Sequence, residues 1–231
     1  MAVSATHLTT SGNSTDGNSF TTASITPTAG RLILAAVENR ANTAVDPNTP
    51  TLTGNGLTWV QVATVFVTNT QRITVFRAMG GSPSAGAITI DLAGQDQFYC
   101  EWSISEFAGV DTGGTNGSGA IGQTASNTDT GTNAGITVTL GFDAASTSAT
   151  FGAVRTIGDG TAKIVSGSGF SELGESGDTD SDFQSQFKAT SDTSVDWTWP
   201  SVASNGVAVA VEIKVPSASV GGFKSLLGVG S

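Results

Sequence analysis

Histidine, cysteine and tyrosine occur once each in this chain, and charged residues make up only 12% of it. Each scarcity excludes something. Nucleophilic catalysis by Ser or Cys needs a base beside the nucleophile. The sole imidazole is His7, which reads as an incidental residue of an N-terminal arm. A zinc site usually takes several Cys or His ligands, so zinc is disfavoured. A lone Cys100 cannot close an intramolecular disulfide, and the fold does not depend on oxidation. Nine basic residues against 19 acidic give a formal charge of −10, without the basic stripe that nucleic acid or an anionic membrane surface requires. The longest aliphatic run, residues 32–37, is far short of the ~20 residues that span a bilayer. The start, Met-Ala-Val-Ser-Ala-Thr-His, has no basic region leading into an apolar stretch, which predicts synthesis in a cytoplasm without a secretion signal.

What remains is 231 residues with 30 Gly, 11 Phe, 4 Trp and about a quarter Ser plus Thr. An apolar content of 38% suffices for a core. Helix formers are scarce, and Gly with Thr points to strands joined by turns. From Phe20 onward, short apolar segments alternate with turn clusters. Residues 31–38 form an apolar strand buried on both faces. Residues 57–67 follow an Asn55-Gly56 turn signal, and 73–77 and 87–92 are shorter strands. Phe98, Cys100, Trp102 and Ile104 share one strand face, with Tyr99, Glu101, Ser103 and Ser105 on the other. Ile136, Val138, Leu140 and Phe142 alternate likewise, as do the valines and Ile213 of 207–215. No window sustains a helical apolar period. The expected fold is all-β: a two-sheet β-sandwich, jelly-roll-like, with extended N- and C-terminal arms. Residues 1–18 are the N-terminal arm, 19–215 the sandwich, and 216–231 a linker with an apolar tail. Residues 111–134 and 166–182 read as long polar loops.

Candidate chemistry is sparse. Cys100 lies on the apolar strand face and reads as a buried, inert thiol. Asp178, Asp180 and Asp182 have the opening spacing of a calcium loop, but Phe183 and Ala189 stand where an EF-hand needs Gly and Glu. With Glu172 and Glu175 they form an acidic loop that solvent satisfies or a weak cation occupies. Glu101 and Glu106, the carboxylates considered as a glycosidase pair, face opposite sides of one strand. Trp59, Trp102, Trp197 and Trp199 could stack on sugars, yet their apolar strand settings suit core packing. The Gly-rich run 113–119 lacks the Lys and following helix of a P-loop. These residues predict no catalytic site, no metal site and no cofactor.

Three segments carry a resemblance. They are Phe20 to Pro27 leading into Gly30-Arg-Leu-Ile-Leu-Ala-Ala-Val37, then Gly56-Leu-Thr-Trp-Val60, and Trp102-Ser-Ile-Ser-Glu-Phe-Ala-Gly-Val-Asp-Thr112. Their order over about residues 20–215 resembles β-sandwich structural proteins of tailed bacteriophages. The resemblance implies a virion location and a non-enzymatic role, most directly a capsid decoration (cement) protein. Such a protein would bind the major capsid protein or other virion proteins as a homo-oligomer, dimer or trimer. The partner-binding residues expected here are the tail's Phe223, Leu226, Leu227 and Val229, with the N-terminal arm second. The alternatives are a fibre or adhesin module that binds host-surface glycan, and a glycan depolymerase.

Overall fold

The computed structural model describes residues 2–142, 147–157, 164–178 and 181–217. The chain is all-β, with two antiparallel sheets packed face to face. The first sheet contains β1 (Ser4–Asn13), β3 (Leu32–Ala41), β5 (Val60–Val67), β6 (Gln71–Ala78) and β8 (Gln97–Ala108), in the order β1-β8-β3-β6-β5. The second contains β9 (Ile121–Thr139), β10 (Ala149–Thr156), β11 (Val165–Ser166), β12 (Ser171–Asp178), β13 (Ser181–Lys188) and β14 (Ser194–Ile213). Its order is β11-β14-β10-β13-β12, with β9 also on β14. A small sheet of β2 (Ser19–Thr21), β7 (Ile88–Asp91) and β4 (Thr51–Gly54) completes the described strands. Each large sheet thus draws its strands from one half of the chain.

Period-2 alternation sorts the apolar side chains into layers. Leu32, Leu34, Ala36, Ile73, Val75 and Phe107 face Phe151, Ala153, Phe183, Val207, Val209 and Val211 across the sandwich. Phe107 meets the Phe151 ring edge-to-face at 6.0 Å, a favoured aromatic geometry. The opposite face of the first sheet, with Ile33, Ala35, Val37, Cys100, Trp102 and Ile104, is covered by Phe20, Leu52, Ile88 and Ile90 of the small sheet. The predicted burial of residues 31–38 on both faces follows: Leu32 through Val37 are at most 1% exposed.

The second sheet is also covered on its outside. Its long strands β9 and β14 turn back over it. Gln123 Nε2 donates to Gly141 O, and Asn127 Nδ2 to Thr137 O, so the two halves of β9 lie against each other. Val195, Trp197 and Trp199 then pack on Val154, Ala208 and Ala210. Gly152 makes this possible, because a Cβ there would sit 2.6 Å from Cζ2 of Trp197. Trp199 Nε1 donates to Asn133 O at 2.8 Å, which ties the fold-back together.

Three expectations are corrected. The segment assigned to an arm contains β1, an edge strand paired with β8 from Ser4↔Ala108 to Asn13↔Cys100, so the sandwich begins well before residue 19. Backbone pairing does not require apolar side chains, and Val3 and Ala5 join the inter-sheet core while Leu8 packs on the other face. Within 111–134, residues from Ile121 onward are strand, paired with β14 through Thr124, Ser126 and Thr128. Within 166–182, Ser171–Asp178 is β12, paired with β13. The tail residues Phe223, Leu226, Leu227 and Val229 lie outside the described residues.

Candidate functional site

Along the edge where β1 and β8 meet β12 and β13, the interior changes from apolar to polar. β8 turns Tyr99, Glu101, Ser103 and Ser105 toward the second sheet, and β13 answers with Ser181 and Ser185. The Ser103 and Ser185 hydroxyls meet at 2.7 Å between the sheets. Thr10 Oγ1 donates to Ser103 Oγ at 3.1 Å. Having spent its proton there, Thr10 accepts from His7 Nε2 at 3.1 Å, which leaves Nδ1 to accept from Ser105 at 3.4 Å. Partial burial lowers the His7 pKa from its ordinary value, because the charged ring loses solvation. His7 is therefore in a strand and a hydrogen-bond chain, and the serines it reaches are buried.

Deeper in, two carboxylates are direct cross-strand neighbours: Glu38 of β3 is opposite Glu101 of β8. Like charges in that register repel. Arg155 of β10 offsets this from the opposite sheet, with Nε 3.4 Å from Glu38 Oε1 and both side chains 0% exposed. Arg155 Nε also donates to Ser181 Oγ at 3.0 Å, and Ser181 Oγ donates to Glu101 Oε2 at 2.8 Å. The guanidinium carbon lies 5.1 Å from the centre of the Tyr99 ring. Burial first, then the charges of Glu38 and Glu101, push the Cys100 thiol well above its ordinary pKa.

The seam reaches the surface at an opening beside β1. Gly12 of β1, Ser14, Tyr99, Glu101, Ser176 and Gly177 line a cavity of about 130 Å³. Gly12 keeps it open, because a Cβ at that position would lie 3.0 Å from both Glu101 Cγ and Ser176 Oγ.

The other sequence candidates are dispersed. Glu106 accepts from Thr28 N at 2.7 Å and Thr28 Oγ1 at 2.8 Å, with Arg31 at 3.5 Å, away from Glu101 and its partner Ser181. The two carboxylates face opposite sides, as their spacing implied. Glu172 and Glu175 lie on β12 rather than in a loop, and Glu175 accepts from Ile164 N at 2.9 Å. Asp182 is buried on β13. Asp180 and the Asp178 side chain lie outside the described residues. No group of three or more His, Cys, Asp or Glu suited to a metal ion occurs among the described residues. Trp102, Trp197 and Trp199 are buried in the core and Trp59 packs against it, and Phe170 lies against the outer cluster beneath Lys188. The seam's Glu38 and Arg155 were missed. The available signal was Glu38 continuing the Leu34–Ala36 face and Arg155 continuing the Phe151–Ala153 face.

The fold and this seam define a layered β-sandwich whose polar interior joins its two sheets. No family model matches the chain, nor does any curated protein or solved structure.

Proposed function

We propose that this protein is a non-enzymatic structural component of a tailed-bacteriophage virion, a decoration protein that binds and stabilises the major capsid shell as a homo-oligomer. The observation that carries the non-enzymatic part is the engagement of its reactive groups with one another. His7, Glu101 and Arg155 are held in hydrogen bonds or an ion pair that link strands and sheets. Groups so tied contribute rigidity, which a shell component under internal pressure needs. The virion part rests on the segments around residues 20–37, 56–60 and 102–112. A surface that is rich in Ser and Thr and acidic overall keeps such a subunit soluble before assembly. The test compares virions with and without this protein for loss of packaged DNA on heating and at low salt. Lower resistance in its absence, with density for the protein on the capsid exterior in a reconstruction, is the expected result. Equal resistance and no capsid-associated density would overturn the reading.

A fibre module that binds host-surface glycan is the second reading. Phe66 and Phe98 favour it, since both are large, exposed rings, each with an arginine stacked on it: Arg72 at 4.5 Å and Arg40 at 5.4 Å. Saturable binding on a glycan array, lost in Phe98→Ala, would select it over capsid decoration.

A further inference from the structure

The glycine-rich run between β8 and β9 contains one of three Asn-Gly pairs, the others being Asn55-Gly56 and Asn205-Gly206. In each pair the glycine has no side chain to shield its amide nitrogen from the neighbouring carboxamide. What separates the three is how each is held. Asn55 is 4% exposed, and its Nδ2 donates to Ser84 O and Gly86 O, both at 2.9 Å. Asn205 O accepts from Ile157 N and Gln71 Nε2, and Gly206 stands in register with Thr156 of β10 and Asp129 of β9. Asn116 is half-buried, and neither its side chain nor Gly117 N makes a hydrogen bond among the described residues. Asn116 and Gly117 form the centre of a tight turn, with φ of 50° and 80°. Two hydrogen bonds cross it: Ser118 N donates to Thr115 O at 3.0 Å, and Thr115 N to Ser118 Oγ at 3.1 Å.

We propose that Asn116-Gly117 is the preferred site of spontaneous deamidation in the folded chain, and that its isoaspartyl product loosens the end of the sandwich this turn closes. Gly117 N gives up its proton and bonds to Asn116 Cγ. The Cγ–Nδ2 bond breaks, and ammonia leaves with that proton. Water then opens the cyclic imide at either carbonyl, which gives aspartate or isoaspartate. Ring closure turns the backbone of Asn116 out of the left-handed conformation, so the turn opens first. Opening it breaks only the two bonds between Thr115 and Ser118, whereas Asn55 has to release two carbonyls and Gly206 has to leave its partners on both sides. The product falls at a tightly packed point. A Cβ on Gly117 would lie 2.9 Å from Leu32 Cδ1 and 3.3 Å from Met79 Cβ, and Leu32 belongs to the inter-sheet core. An isoaspartyl residue adds a methylene to the backbone and a negative charge beside that seat. This inference does not rest on the virion reading.

The test is peptide mapping by mass spectrometry of the full chain held at mildly alkaline pH, with fragmentation that separates aspartate from isoaspartate. Conversion at Asn116 about tenfold faster than at Asn55 or Asn205 is expected in the folded protein. In urea the three rates should converge, since the same dipeptide then has the same freedom at each position. Asn116→Gln makes closure form a larger ring, so it should remove the fast phase of ammonia release and keep the native spectrum. The isoaspartyl form, separated chromatographically, should have a lower urea midpoint than the unmodified chain. Several results would overturn the proposal: equal rates at the three positions in the folded protein, faster conversion at Asn55 or Asn205, no folded-state conversion at Asn116, or an isoaspartyl form as stable as the unmodified chain.

Discussion

Arg155 and Glu38 approach across the sandwich at 3.4 Å, and neither side chain touches solvent. Each comes from a different sheet, so the pair fixes the lateral position of one sheet on the other. An apolar interface alone would leave that position to side-chain shape. The pair's net contribution to stability is modest, since burying both charges costs much of what their attraction returns.

Arg155→Leu should therefore destabilise the fold by about 3–5 kcal/mol, because it removes one partner of a buried ion pair. Urea denaturation followed by tryptophan fluorescence measures it. Adding Glu38→Leu to that variant should recover part of the loss. A double variant no more stable than Arg155→Leu would show that the loss does not run through the Glu38 pair.

Gly152→Ala tests the fold-back of β9 and β14. The new methyl would fall 2.6–2.8 Å from the Trp197 ring and the Val195 side chain. Overpacking of this kind costs about 1–3 kcal/mol. A red shift of tryptophan emission in the native state is the expected signature, since Trp197 would lose its seat on the outer face.

His7 gives a pH-dependent term of known sign. Its folded-state pKa lies below the ordinary 6.5. Between those two values the unfolded chain binds a proton that the folded chain does not. The stability contribution is complete above pH 6.5 and is lost as pH falls toward the folded value. Urea midpoints of the wild type relative to His7→Gln, taken from pH 8 to pH 5, should decline as the pH drops. A difference that stays constant over that range would exclude the effect.

Cys100 should be chemically silent until the protein opens. It is 0% exposed, and its raised pKa keeps the thiolate scarce. Iodoacetamide at pH 8 should leave the native thiol unmodified over hours and alkylate it within minutes in urea. Rapid native-state labelling would contradict the placement of Cys100 beneath the small sheet.

The legible part of this molecule is the part governed by alternation. The two faces of β8 separate as Cys100, Trp102 and Ile104 against Tyr99, Glu101 and Ser103, which is the period-2 reading of residues 99–104. The core role of Trp197 and Trp199 was legible for the same reason. Polar strands were illegible. β1 and most of β9 are built from Thr, Ser, Asn and Gly, and what holds them is backbone pairing to β8 and β14, which side-chain pattern does not report. The seam was illegible because its members are far apart in sequence. Glu38, Glu101, Arg155 and Ser181 meet only through the pairing of β3 with β8 and the packing of the two sheets. Period-2 spacing could have flagged Glu38 and Arg155 as charged residues on apolar faces, but not that the two meet across the sheets.

The division of the two large sheets between the two halves of the chain has a temporal consequence. The first sheet and its cover are complete in sequence by Ala108, whereas the strands that shield its inner face begin at Ile121 and end at Ile213. A nascent chain made at about 5–20 residues per second holds that apolar face uncovered for several seconds. During that interval Leu34, Val75 and Phe107 are the surface most able to recruit another nascent chain. The hydroxyls and carboxylates along one border of the same face lower its stickiness at that moment, so the seam that later aligns the sheets also protects the half-made protein.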